Sequence, residues 1–129
     1  MSRYWRLIGD YNGEATTFEA LAGGFQTSPY TPDENCRLKG IRVIPSAEAA
    51  TSLIEGVQIR LTCSAWKPNE MHIVVAGNGI MTALTPRGNP LDYQCDQPCP
   101  VGVQIKLEGR HAVATAVTNR VFVMGLFES

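Results

Sequence analysis

The sequence predicts an all-β protein, an antiparallel sandwich of two sheets, and three observations lead to this fold class. Short apolar stretches with strand-like alternation recur along the chain. Turn residues separate them about every 8–12 residues, and the 12 glycines and 8 prolines supply these turns. Helical stretches at the spacing of βαβ units are missing, which excludes a parallel α/β sheet. With about eight strands, a jelly roll is the leading form and an immunoglobulin-like sandwich the second.

The predicted strands vary in clarity. The clearest is Glu55–Cys63, in which apolar residues alternate with polar residues from Val57 onward. Met71–Ala76 and Ile80–Leu84 flank Gly77-Asn-Gly79, which predicts a hairpin. The remaining strands are predicted over residues 3–9, 37–44, 91–95, 103–108 and 121–128, with a turn at 10–13 after the first of them.

Three stretches do not read as plain strands. Glu14–Ala22 fits either a helix or a strand face. Residues 23–35 contain Pro29 and Pro32 and few apolar side chains, and they predict an extended arm or loop. Ser46–Leu53 predicts a short helix, because Ser46 can cap it and its alanines favour helical backbone. At 129 residues, the chain is expected to form a single domain over 1–129.

The C-terminal strand is apolar on both faces. Val121, Val123 and Phe127 share one face, and three other apolar residues share the opposite face. A strand of this kind must be covered on both faces, by its own fold or by another subunit. Tryptophan is also enriched at protein interfaces. We therefore predict an interface made by Phe122, Met124, Leu126, Trp5 and Trp66.

Charge and targeting signals narrow the classes of function. The net charge is −1, and charged residues are 18% of the chain, without the basic stripe that nucleic-acid binding usually requires. No direct contact with nucleic acid is therefore expected. The N-terminal residues lack the apolar core of a signal peptide, and no apolar run approaches the length of a membrane span. We expect cytoplasmic synthesis and no membrane partner.

The four cysteines could form two disulfides or none. Cys63 falls on the apolar face of its strand, where a free thiol acts as a small hydrophobe. Cys95 and Cys99 flank a predicted turn containing Pro98, and they are the candidates for a bridge. Their spacing differs from a zinc knuckle.

Catalytic signatures are weak throughout. His72 and His111 are the only histidines, too few for a metal centre of the cupin kind. Scattered carboxylates such as Asp92 and Glu108 have no spacing that distinguishes them from solvated strand ends. We therefore expect no metal, no cofactor and no enzymatic activity.

Three stretches carry a resemblance to a known group of proteins. Cys36–Pro45, Gly56–Cys63 and the ending Val103–Glu128 resemble small jelly-roll structural proteins of viruses and phages. The resemblance implies a capsid, penton or decoration subunit. Typical capsid jelly rolls carry a basic N-terminal arm for the genome, which this chain lacks. An outer decoration subunit, a shell lined by something else or an extracellular filament is therefore the better expectation.

These observations predict a self-assembling structural protein. It would form homo-oligomers through symmetric interfaces and contact other structural proteins of the same particle, in a virion or another extracellular assembly. The alternative is a carbohydrate-binding β-sandwich, in which Trp66, Tyr93 and Tyr30 would form an aromatic platform.

Overall fold

The computed structural model describes residues 2–13, 16–19, 30–47, 51–53, 57–74, 80–82, 90–111 and 119–129. Within these ranges the secondary structure is strand without helix. The predicted all-β class is therefore confirmed. The strands are β1 (Arg3–Gly13), β2 (Cys36–Ala47), β3 (Thr51–Leu53), β4 (Val57–Thr62), β5 (Glu70–Val74), β6 (Ile80–Thr82), β7 (Leu91–Cys99), β8 (Lys106–His111) and β9 (Asn119–Glu128).

The long strands form two antiparallel sheets. The first has four strands in the order β1-β9-β2-β7, and the second has three in the order β5-β4-β8. Strands β3 and β6 form a separate antiparallel pair. This arrangement confirms the predicted antiparallel sandwich of two sheets.

The apolar core draws on both sheets, and Gly109 illustrates how closely they pack. A Cβ atom at Gly109 in β8 would lie 2.4 Å from Cγ of Tyr11 in β1. Glycine at this position therefore makes room for the tyrosine ring of the other sheet. The buried apolar residues are Ile8, Tyr11, Leu38, Ile41, Val43, Val57, Ile59, Leu61, Cys63, Trp66, Ile73, Cys99, Ile105, Leu107, Val121, Val123 and Phe127.

Strand β1 is longer than its sequence predicts. The turn predicted over 10–13 is wrong, because Asp10–Gly13 continues the ladder opposite residues 119–122 of β9. A register shift between Leu7 and Gly9 marks a bulge. The extra residue of the bulge reverses the alternation of the side chains beyond it, so that Tyr11 points into the core.

The predicted helix over Ser46–Leu53 is also wrong. Ser46 and Ala47 extend β2 through pairing with β9, and Thr51–Leu53 pairs with Ile80–Thr82. At Ala47, tertiary pairing thus outweighs helix propensity. Residues 48–50 of the predicted helix lie outside the described residues. Among the described residues β6 pairs with β3 and no pairing between β5 and β6 is present, so the predicted hairpin is not found there. The hairpin glycines at 77–79 lie outside the described residues.

Two short backbone bridges involve β8 and the residue directly before it. Glu19 exchanges hydrogen bonds of 2.9 and 3.0 Å with Gly109, and Tyr30 exchanges bonds of 2.9 and 2.7 Å with Ile105. The predicted arm over 23–35 is described only from Tyr30 onward, where it forms this bridge and no regular strand. The edge of β8 is therefore paired at Gly109, and the chain that leads into β8 is paired at Ile105.

Candidate functional site

The two apolar faces of strand β9 differ in how far they are buried. Val121, Val123 and Phe127 are fully buried in the core. Phe122, Met124 and Leu126 point away from that core, and each is partly exposed. The division follows from the two-residue period of an extended strand. We call the second side, with its neighbours on β1, β2 and β7, the outer face.

The outer face brings four of the five predicted interface residues together. Trp5 of β1 lies opposite Leu126 in the register, one strand away. Arg42 of β2 lies opposite Met124, and its guanidinium carbon is 4.5 Å from the centre of the Trp5 ring. This cation–π contact spans the exposed side of β9. Sequence reasoning missed Arg42 as a residue of this face. Its position between Ile41 and Val43, which are both apolar, is the signal that could have placed it there.

Ion pairs border this apolar strip. Arg3 Nε lies 2.6 Å from Glu128 Oε2 at one side. At the other side, the Arg42 guanidinium donates to both carboxylate oxygens of Asp92, at 2.7 and 3.1 Å. That hydrogen bonding lowers the pKa of Asp92 below its usual value. The outer face therefore has an apolar centre and a rim that carries both signs of charge.

A second rim pair extends the same pattern along β7. Arg37 Nε donates to Asp96 at 2.6 Å, and Lys39 Nζ lies 3.4 Å from the same carboxylate. The hydrogen bond from Arg37 is the main cause of a lowered pKa at Asp96. Asp96 is about half exposed, so solvent screens these pairs. They contribute to the charge pattern of the face more than to the stability of the fold.

A depression of about 450 Å³ lies within the outer face. Gly40 has no side chain to fill it, and Trp5 and Leu126 supply apolar lining. Asp92 and Gln94 supply polar lining. Such a mixture of one aromatic ring with polar groups can contact a small polar ligand or a side chain from another protein.

Trp66 does not join the other predicted interface residues. Its side chain is only 2% exposed, and its indole Nε1 donates to the carbonyl oxygen of Pro98 at 3.0 Å. The indole thus links the segment after β4 to β7 of the other sheet. The structure corrects its assignment to the surface, because an aromatic residue after a strand can serve the core as readily as an interface.

The three aromatic residues of the alternative carbohydrate platform, Trp66, Tyr93 and Tyr30, make different contacts. Tyr93 is 36% exposed, and its hydroxyl donates to the carbonyl oxygen of Val74 at 3.2 Å. The Tyr30 ring stacks on Phe127 with 5.4 Å between centroids. Trp66 is buried, so these residues do not form a common exposed surface.

Cys95 and Cys99 are not brought together. The turn predicted around Pro98 is wrong, because both cysteines belong to β7 and all four cysteines are free thiols. Four residues of extended strand separate two Cα atoms by about 13 Å, beyond the reach of a disulfide. The register instead places Cys99 opposite Cys36.

The two histidines differ in exposure to solvent. His72 is exposed and lies 3.0 Å from a Glu70 oxygen, whereas His111 is buried at the end of β8. In the described ranges, no three or more His, Cys, Asp or Glu side chains are grouped so that they could hold a metal ion. The same ranges contain no helix long and apolar enough to cross a membrane.

Comparisons with known proteins give little additional information. No protein-family model matches the sequence, and no curated protein matches it. Among solved structures, the crystal structure of FlhE aligns over 100% of both chains, with 7% sequence identity and a TM-score of 0.40. A likeness of this size carries no argument about fold or function.

Proposed function

We propose that the protein is a structural subunit that assembles with further copies of itself through the outer face. One observation carries the proposal: Phe122, Met124, Leu126 and Trp5 lie together on the side of the four-stranded sheet that points away from the core. Apolar side chains grouped in this way favour association, because contact removes them from water.

The charge pattern favours a second copy as the occupant of this face. Arg3 and Arg42 alternate with Glu128 and Asp92 around the apolar centre. A two-fold interface brings the same surface together twice, so a face carrying both signs can place each cation near an anion of its partner. A face of one sign would repel its copy, and the net charge of −1 adds little long-range repulsion.

The sandwich architecture is compatible with a jelly-roll subunit of a virus or phage particle, which is the finer form of this proposal. In such a particle the protein would act as an outer decoration subunit and contact other structural proteins, outside the cell that made it. The activity would be mechanical, without catalysis or a cofactor.

Size-exclusion chromatography with light scattering tests the proposal. We expect a species heavier than the 14.1 kDa chain, with a mass that rises with protein concentration. A monomer at all concentrations, up to the millimolar range where weak contacts form, would contradict assembly.

Carbohydrate binding stays a second candidate because of the depression beside Trp5. An indole face next to a carboxylate and an amide can stack on a sugar ring and bond its hydroxyl groups. In this version Trp5 takes the role first predicted for Trp66 and Tyr93. Titration with a panel of oligosaccharides, followed by Trp5 fluorescence against a Trp5→Phe control, would detect it, because Trp66 stays buried in both proteins.

A further inference from the structure

The strand register places two thiols side by side at one end of the four-stranded sheet. Cys36 is the first residue of β2, Cys99 is the last residue of β7, and they are direct partners in the antiparallel ladder. Directly opposed residues have Cα atoms about 4.5–5.5 Å apart and side chains on the same face. A disulfide needs about 4.4–6.8 Å between these atoms.

Side-chain contacts agree with the register. The Cys36 sulfur lies 3.6 Å from the carbonyl oxygen of Cys99, so it already contacts the backbone of its partner. Cys36 is partly exposed, whereas Cys99 is 1% exposed. The Cys36 thiol can therefore react with a reagent from solvent, whereas the Cys99 thiol is shielded from it.

We propose that Cys36 and Cys99 form a thiol–disulfide site, which a small disulfide such as oxidised glutathione converts into a covalent link between β2 and β7. This site lies at the end of the sandwich and is independent of the proposed assembly through the outer face. We expect the other two cysteines to stay reduced. Cys95 lies four positions from Cys99 in the same extended strand, beyond the reach of a disulfide. Cys63 lies near enough to act on the Cys99 thiol, but it is 2% exposed and does not meet the reagent.

The exchange proceeds in two balanced steps. The Cys36 thiol loses its proton to water, and its sulfur attacks one sulfur of the oxidised glutathione; the S–S bond of the reagent breaks and one glutathione leaves. The Cys99 sulfur, after losing its proton, then attacks the Cys36 sulfur of the mixed disulfide and releases the second glutathione. Two protein thiols are oxidised, one reagent disulfide is reduced, and the released thiolates take up the two protons.

The surroundings of the two thiols affect the rate of this exchange through the thiol pKa values. Burial raises the pKa of Cys36, and hydrogen bonding from Tyr4 opposes that shift. Burial raises the pKa of Cys99 to about 12. Because the thiolate is the attacking species, both thiols react slowly at neutral pH, and the rate rises as the pH is increased.

The link would also join distant parts of the chain. Cys36 and Cys99 are 63 positions apart in sequence. Closing so long a loop restricts the unfolded chain strongly, and we expect the melting temperature to rise by roughly 10 °C on oxidation. The link would fix β7, an outermost strand in the order of its sheet, at its C-terminal end.

Equilibration of the folded protein with excess oxidised glutathione tests the proposal. Free thiols are then alkylated after unfolding, and the digest is analysed by mass spectrometry. We expect a Cys36–Cys99 cross-linked peptide, a loss of two hydrogen atoms from the intact mass, and alkylated Cys63 and Cys95. Four alkylated cysteines, a lasting glutathione adduct on Cys36, or a different pair would each overturn the proposal.

Matched variants separate the site from general oxidation. Cys95→Ser removes a thiol from the same strand, and we expect it to cross-link and to gain thermal stability as the natural protein does. Cys36→Ser keeps the buried thiol but removes its partner, so oxidant should leave its melting temperature unchanged. An oxidant-dependent rise in the Cys36→Ser variant would show that another pair forms the link.

Discussion

The two faces of strand β9 have similar apolar composition and different surroundings. On one face, Val121, Val123 and Phe127 are fully buried between the sheets. On the other face, Phe122, Met124 and Leu126 stay partly exposed. The difference between the faces lies in what covers them, since the side chains are equally hydrophobic.

Charged side chains provide the partial cover of the outer face. Arg42 extends over the Trp5 ring and also pairs with Asp92, so its alkyl stem lies on the sheet while its charge stays in water. On the inner face the buried residues pack instead against the apolar side of the smaller sheet, and Arg6 lies over the Tyr4 ring at one end. Strand alternation thus identifies which residues share a face, while the neighbouring strands decide how far each face is shielded from solvent.

The largest expected effect comes from a charge on the inner face. Val123→Asp would place a carboxylate without a counter-ion at a fully buried position. The penalty is several kcal/mol, comparable with the about 5–15 kcal/mol that stabilises a typical domain. We expect an unfolded or aggregated protein. Circular dichroism measures this, and a native spectrum with cooperative melting would show that the inner face tolerates charge.

A smaller effect is expected from adding one methyl group to each face. At Gly125 on the inner face, a Cβ atom would lie 2.8 Å from Phe127 Cε2 and 2.9 Å from Leu38 Cδ1. Gly125→Ala should therefore cost about 1–3 kcal/mol through overpacking. At Gly40 on the outer face, the nearest atom would be 3.4 Å away, so Gly40→Ala is the matched control with a change near zero. Urea unfolding of both variants gives the two free energies, and equal losses would contradict the packing difference.

The sequence predicted the parts of the fold that depend on local alternation. The inward and outward residues of β4 and β9 follow directly from their period, and the grouping of Phe122, Met124 and Leu126 follows from the same rule. Trp5 joined them only through the pairing of β1 with β9, which no local pattern specifies. Local alternation therefore predicts which side chains of one strand share a face, and the use of that face as an interface stays a prediction.

The errors occur where distant pairing outweighs local signals. Pro45 ends a strand in most contexts, but β2 continues past it because β7 pairs only as far as Val43 and β9 supplies the remaining bonds. Pro98 resembles a turn residue, yet it is tolerated in β7, which stands at the end of the strand order. Asp92 is exposed, as its position at a strand end indicates, but its ion pair with Arg42 has no local signal, because the two residues are 50 positions apart in sequence.

Groups with shifted pKa values should make the free energy of unfolding depend on pH. These effects are smaller than those of the substitutions, and they occur at alkaline pH for the thiols and at acid pH for Asp92. Burial raises the pKa of Cys95 to about 11 and that of Cys99 to about 12, so the folded protein holds these protons longer than the unfolded chain does. The free energy of unfolding should therefore fall as the pH rises above the usual thiol pKa of about 8.5. Asp92 has a lowered pKa, so its contribution is present above the usual carboxyl pKa and is lost as the pH falls through the lowered one.

Urea unfolding between neutral and alkaline pH measures the first effect. We expect Cys95→Ser to reduce the alkaline loss, since it removes one of the thiols. On the acid side the change should be small, because Asp92 is exposed and its ion pair is screened. An alkaline loss that is identical in the natural protein and the variant would assign it to groups other than Cys95.

The central claim is that the outer face of β9 is used between molecules and the inner face within one. Met124→Asp tests it most directly, because it adds a carboxylate at the centre of the outer face, beside Arg42. Gln58→Glu is the matched control: it adds a negative charge to the other sheet, where Arg110 already donates to that side chain. Light scattering and circular dichroism are measured on both variants and on the natural protein. We predict that Met124→Asp is folded and monomeric while Gln58→Glu assembles as the natural protein does; a Met124→Asp variant that assembles normally, or that unfolds as Val123→Asp does, would contradict the claim.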